Sequence, residues 1–216
     1  MFTRSKHIAP KTIALLTAIL STAAIQPVSA QTCTVFDPVG DPPYVFNAPF
    51  QDIVRAQITK TAGGTFELLM ELAGPVPVNP PPPLQGLFHG PSEIWWLWAI
   101  DLDPATFPTG YPFQANYARF PELMVYVSWD GTEFAGTAID RRPLLAGGEA
   151  IITDVPFSIN GTIVEADLDS TLSGAVPPSF LWAYATGDWR GPVGSQGFTW
   201  IDVSWDGNNA VPVFNP

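Results

Sequence analysis

The sequence predicts an all-β chain, an antiparallel two-sheet β-sandwich of jelly-roll-like type with about eight or nine strands. Three observations carry this. Short runs of alternating apolar and polar residues recur along most of the chain, the period of a strand with one face on a core. Asp130-Gly131 and Asn160-Gly161 stand between such runs as hairpin turn signals. Beyond residue 30 no stretch sustains a helical period.

One run breaks the alternation. Residues 94–103 read Ile-Trp-Trp-Leu-Trp-Ala-Ile-Asp-Leu-Asp. On a strand, Ile94, Trp96, Trp98, Ile100 and Leu102 share one face, and Trp95, Leu97, Ala99, Asp101 and Asp103 share the other. Apolar residues on both faces suit a strand in the middle of a sheet, covered on each side.

Taken in order, residues 1–30 carry Arg4, Lys6 and Lys11, then an apolar stretch from Thr12 to Ile25, then Val28-Ser29-Ala30. This is the pattern of a secretory signal peptide, and its apolar run is shorter than the ~20 residues of a membrane-spanning helix. Residues 31–216 are then one domain, which predicts a secreted protein, extracellular or periplasmic, with no membrane span. Losing those three basic residues leaves six Lys+Arg against 20 Asp+Glu, a formal charge of −14. So acidic a chain argues against nucleic acid as a partner. Cys33 is the only cysteine, so no intrachain disulfide forms. Burial must supply the stability, and 8 Trp, 5 Tyr and 14 Phe offer large apolar area for it.

Residues 31–51 are rich in Pro, Asp and Gly and read as a loop or irregular edge. Val54, Ala56 and Ile58 alternate with polar residues, Thr61 to Gly64 form a turn, and Phe66, Leu68, Met70 and Leu72 alternate on the return, which predicts a hairpin. Residues 74–83 hold six prolines and suit a surface crossover, not a central strand. After the tryptophan strand and a loop over 104–121 come strands at 123–129, 134–138, 155–159, 164–168, 180–184 and 198–205.

Three sets of residues bear on function. The acidic set is Asp37, Asp41, Asp101 and Asp103, with Asp52 nearby. Ca²⁺ takes six to eight oxygens, and loop carboxylates with backbone carbonyls supply them; the competing role is turn capping by Asp37, Asp41 and Asp52. The aromatic set is Trp95, Tyr111 and Trp189, candidates to stack on a sugar ring. Core filling is the alternative for tryptophans on strands, whereas Gly187 to Pro192 reads as a loop that exposes Trp189. The third set is catalytic: Glu122 and Glu133, meeting across the Asp130-Gly131 hairpin, would give the paired carboxyls of a glycosidase. The competing role is that of charges flanking a turn. His89 is the sole histidine after residue 30, which argues against a serine–histidine triad. Phosphate-binding glycine loops and zinc-ligand spacings are absent from the sequence.

The order Asp-Pro-Val-Gly-Asp (37–41), Asp-Ile-Val-Arg-Ala (52–56), a hairpin, then Trp-Ala-Ile-Asp-Leu-Asp (98–103) resembles secreted bacterial β-sandwiches of the DOMON-like, family-9 carbohydrate-binding type. The resemblance implies an antiparallel sandwich that binds sugars or haem, often with structural Ca²⁺. It implies that Asp37, Asp41, Asp101 and Asp103 stand near an ion. Met70 or Met124 with His89 would be its haem ligands, but no motif links them. The leading expectation is a secreted, non-catalytic module that binds a neutral extracellular glycan and is stabilised by Ca²⁺. A glycoside hydrolase using paired carboxylates, and a structural surface or matrix protein, are the alternatives.

Overall fold

The computed structural model describes residues 30–40, 48–80, 93–102, 121–145, 147–174, 177, 179–189, 198–203 and 213–214. Among them twelve strands form two antiparallel sheets. The five-stranded sheet has the order β1-β2-β3-β9-β8, made from β1 (Gln31–Phe36), β2 (Ile53–Lys60), β3 (Phe66–Leu72), β9 (Ile163–Leu168) and β8 (Phe157–Asn160). The seven-stranded sheet has the order β11-β10-β4-β5-β6-β7, with β12 also on β10. Its strands are β4 (Glu93–Asp101), β5 (Leu123–Trp129), β6 (Phe134–Asp140), β7 (Ile151–Asp154), β10 (Phe180–Trp189), β11 (Phe198–Val203) and β12 (Val213–Phe214). Two single-turn helices, α1 (Arg142–Leu145) and α2 (Ser170–Ser173), follow β6 and β9. The two-sheet all-β architecture is the one the alternation predicts.

The strand count exceeds the expectation for identifiable reasons. Residues 31–36 form β1, where a loop or irregular edge was expected, and pair only with β2. An edge strand alternating between half-buried and exposed leaves little hydrophobic period to read. β7 has four residues and β12 two, too few for a period.

The core lies between the sheets. Ile58, Phe66, Leu68 and Met70 face Trp96, Trp98, Val125, Val127, Trp182 and Tyr184 in one buried cluster, and Phe66 meets Phe180 edge-on with ring centroids 5.5 Å apart. β4 lies between β10 and β5, and its second face is buried as well. Trp95, Leu97 and Ala99 form a separate cluster there with Ala185, bordered by Met124 and Tyr126. Trp96 and Trp98 are 0% exposed, as an apolar run on both faces requires.

The hairpins follow the turn residues. Gly131 and Gly161 take positive φ, 98° and 63°, where a side chain would be strained. Asn160 pairs with Ile163, so Gly161 is the first central residue of a two-residue turn.

Candidate functional site

The outward face of the five-stranded sheet is polar. Period two gives it Thr32, Thr34 and the exposed Phe36 from β1, Arg55, Gln57 and Thr59 from β2, Glu67, Leu69 and Glu71 from β3, and Ile163, Glu165 and Asp167 from β9, so polar residues predominate. The β8 side of this face carries a shallow groove of about 290 Å³, lined by Gln57, Glu67, Leu69, Ser158, Glu165 and Asp167. Its opening follows from the shortness of β8, which pairs only with Ile163 to Ala166 of β9. The chain departs at Pro156, which cannot donate to a ladder; its carbonyl accepts from the Asp167 N–H at 3.0 Å.

Glu67 stands directly opposite Asp167, and Leu69 opposite Glu165. Ser158 Oγ donates to Glu165 Oε2 at 2.8 Å. Thr34 Oγ1 donates to Gln57 Oε1 at 3.1 Å, and Gln57 Nε2 to Thr59 Oγ1 at 3.3 Å. Carboxylates accept and do not donate, whereas the Gln57 amide does both. Leu69 adds apolar surface. A ligand rich in hydroxyls, with apolar C–H faces, matches this lining.

A second polar locus lies on the outward face of the seven-stranded sheet. Burial raises the pKa of half-buried Glu93, a hydrogen bond with Ser128 opposes that rise, and the Asp130 charge adds to it. Burial, then the charge of Glu93, raises the Tyr126 phenol. Asp130 is held below the ordinary carboxylate value by Thr132 and Glu133, whose N–H groups donate to Asp130 Oδ1 at 2.7 and 2.9 Å.

A third locus is structural. Gln51 Nε2 donates to Asp188 Oδ1 at 2.7 Å, the Ile53 N–H donates to Asp202 Oδ2, and Trp96 Nε1 donates to the Phe50 carbonyl at 2.9 Å. Thr186 Oγ1 donates to the Gln51 carbonyl. These bonds pin residues 50–53 onto β4, β10 and β11 and close one end of the sandwich.

The residues singled out from sequence are scattered. Asp37 donates its N–H to the Val54 carbonyl at 2.9 Å, at the end closed by residues 50–53. Asp101 pairs with Leu181 at the far end of β4, whereas Asp188 pairs with Ile94. Seven residues of strand, about 23 Å, separate the two ends, so Asp37 and Asp101 cannot share an ion. Asp41 and Asp103 lie outside the described residues. Asp52 accepts from the Gly40 N–H at 3.0 and 3.2 Å, a turn-bracing role. Among the described residues no group of three or more His, Cys, Asp or Glu side chains is placed to hold a metal ion.

The catalytic alternative also separates. Glu122 precedes β5 and Glu133 precedes β6, whose register sets Leu123 against Asp140 and Trp129 against Phe134. The two therefore stand beyond opposite ends of a seven-residue strand, eight residues or about 26 Å apart along it, well beyond glycosidase spacing. Glu122 is 3% exposed, and its Oε2 accepts from the Leu102 N–H at 2.7 Å.

Trp95 is 6% exposed and packs with Leu97 and Ala99, so it offers no open stacking plane. Residues 187–189 belong to β10, where a loop was expected; Trp189 pairs with Phe198 and with Glu93. Its side chain, and Tyr111 entirely, lie outside the described residues. Sequence reasoning missed Glu67, Glu165 and Asp167 because alternating acids read as an ordinary solvated face. It missed Glu93 because a single acid ahead of an apolar run carries no pattern.

No family model, curated protein or solved structure matches the chain.

Proposed function

We propose that the chain is an exported, non-catalytic binding module whose ligand is a neutral glycan held in the groove over β2, β3, β9 and β8. The carrying observation is that groove of about 290 Å³, where three carboxylates and an amide surround Leu69. Sugar hydroxyls donate to the carboxylates, the Gln57 amide serves either partner, and Leu69 meets the C–H face of a ring. Export rests on the basic, apolar and small-residue pattern of residues 1–30. The non-catalytic reading is supported by the separation of Glu122 from Glu133. Ca²⁺ stays in the proposal only as a stabiliser at one end of the sandwich, since Asp37 and Asp101 are too far apart to act together.

A glycan array followed by calorimetry tests the reading. Neutral oligosaccharides should bind, and Leu69→Arg, which fills the groove without touching the core, should weaken binding at least about tenfold, 1.4 kcal/mol. An array silent on folded protein, or affinity indifferent to Leu69→Arg, would refute it.

A further inference from the structure

We infer that this groove ranks glycans by charge and that the cross-strand pair of Glu67 and Asp167 sets the ranking. Glycans bearing ammonium groups bind tightest, neutral ones follow, and those bearing uronate or sulfate are excluded. The inference rests on the groove reading above and names the ligand class within it.

The argument starts from two ladders on one face. Arg55 lies opposite Glu71, and the pair closes to 2.9 Å, the arrangement that favours a sheet. Two residues before Leu69, β3 places Glu67 opposite Asp167. Like charges so placed stand about 4.5–5.5 Å apart at Cβ and destabilise the sheet. Glu165 adds a third carboxylate on the same face of β9, with one oxygen taken by Ser158. Among the described residues no lysine or arginine lines the groove. Sheet stability therefore does not account for the Glu67–Asp167 pair, whereas ligand selection does: an arriving cation relieves the repulsion and an arriving anion adds to it.

The test uses three oligosaccharides of one backbone and length, as the neutral sugar, the free amine and the uronate, titrated into the full chain and into the Glu67→Gln/Asp167→Asn double variant. In the parent the amine should bind at least about tenfold tighter than the uronate at low salt, and the ratio should shrink as salt is raised. In the double variant the ratio should collapse toward one. The isosteric amides remove a repulsion, so the melting temperature should hold or rise, which separates a charge effect from unfolding. Equal binding of amine and uronate by the parent, or a ratio that survives in the double variant, overturns the charge ranking while leaving the groove reading intact. Failure of every sugar to bind the folded parent removes both.

Discussion

The two sheets use the same strand geometry to opposite ends. In the seven-stranded sheet, β4 is buried on both faces, and even its outward residues Trp95, Leu97 and Ala99 are at most 6% exposed. In the five-stranded sheet, β3 buries Phe66, Leu68, Met70 and Leu72 and turns Glu67, Leu69 and Glu71 outward. At β4 the first sheet spends both faces on stability. The second keeps one face wet and polar, where side chains change at little cost to the fold and a ligand has access. Tryptophan density along β4 therefore marks the core, and Trp95, from which the sequence expectation takes a stacking contact, is packed with Leu97 and Ala99.

The largest expected effect breaks the first sheet. Trp96→Ala should lower unfolding free energy by about 3–5 kcal/mol, because Trp96 is 0% exposed and its Nε1 bonds to the Phe50 carbonyl. Leu69→Ala, on the wet face of the second sheet, should cost under about 1 kcal/mol. Urea denaturation of the two variants gives the contrast directly; equal losses would erase the distinction between the sheets.

Gly136→Ala comes next and links the two. A Cβ on this β6 glycine would stand 2.5 Å from the Val155 carbonyl oxygen and 2.8 Å from Phe157. Overpacking of this kind costs about 1–3 kcal/mol. The variant should therefore lose thermal stability, read as a lower melting temperature.

A smaller, pH-dependent effect belongs to the edge of the seven-stranded sheet. Burial disfavours ionised Asp140, but the hydrogen bonds and charge of Arg142 outweigh it and hold the carboxyl below its ordinary value of 3.8. The ion pair closes at 2.8 Å, with Arg142 34% exposed. Its stabilisation is therefore present above that ordinary value and is lost as pH falls through the depressed one. Asp140→Asn should cost about 1 kcal/mol at pH 7, limited by solvent screening, and the deficit should vanish in acid. Thermal melts between pH 2 and 7 check this, and a deficit independent of pH contradicts it.

Glu93→Gln should give the smallest change and the opposite sign. Burial raises Glu93 above its ordinary 4.5, so the parent loses stability as pH rises from that value through the raised one. The amide variant should match the parent near pH 4 and exceed it slightly, by under about 1 kcal/mol, at neutral pH. A variant less stable than the parent at neutral pH would mean that ionised Glu93 is favoured by its surroundings.

These contrasts also explain what the sequence made legible. Residues 94–100 announced a doubly covered strand because apolar side chains on both faces have no other use in a sheet. Asp130-Gly131 and Asn160-Gly161 marked turns because positive φ demands glycine. Glu67 and Asp167, by contrast, meet only because β9 returns to pair with β3 after four intervening strands of the other sheet and β8. Period two states which face a residue takes, not which distant strand lies beside it. The same limit applies to the acidic reading. Asp37 and Asp101 each end a strand, but alternation does not say at which end of the sandwich.

The most direct measurement is amide chemical-shift mapping while a neutral oligosaccharide is titrated into the folded protein. The account predicts perturbations centred on Gln57, Glu67, Leu69, Ser158, Glu165 and Asp167, with Trp95, Tyr126 and Ser128 unmoved. Perturbations centred on those last three residues would place the ligand on the seven-stranded sheet and contradict the division of labour between the two.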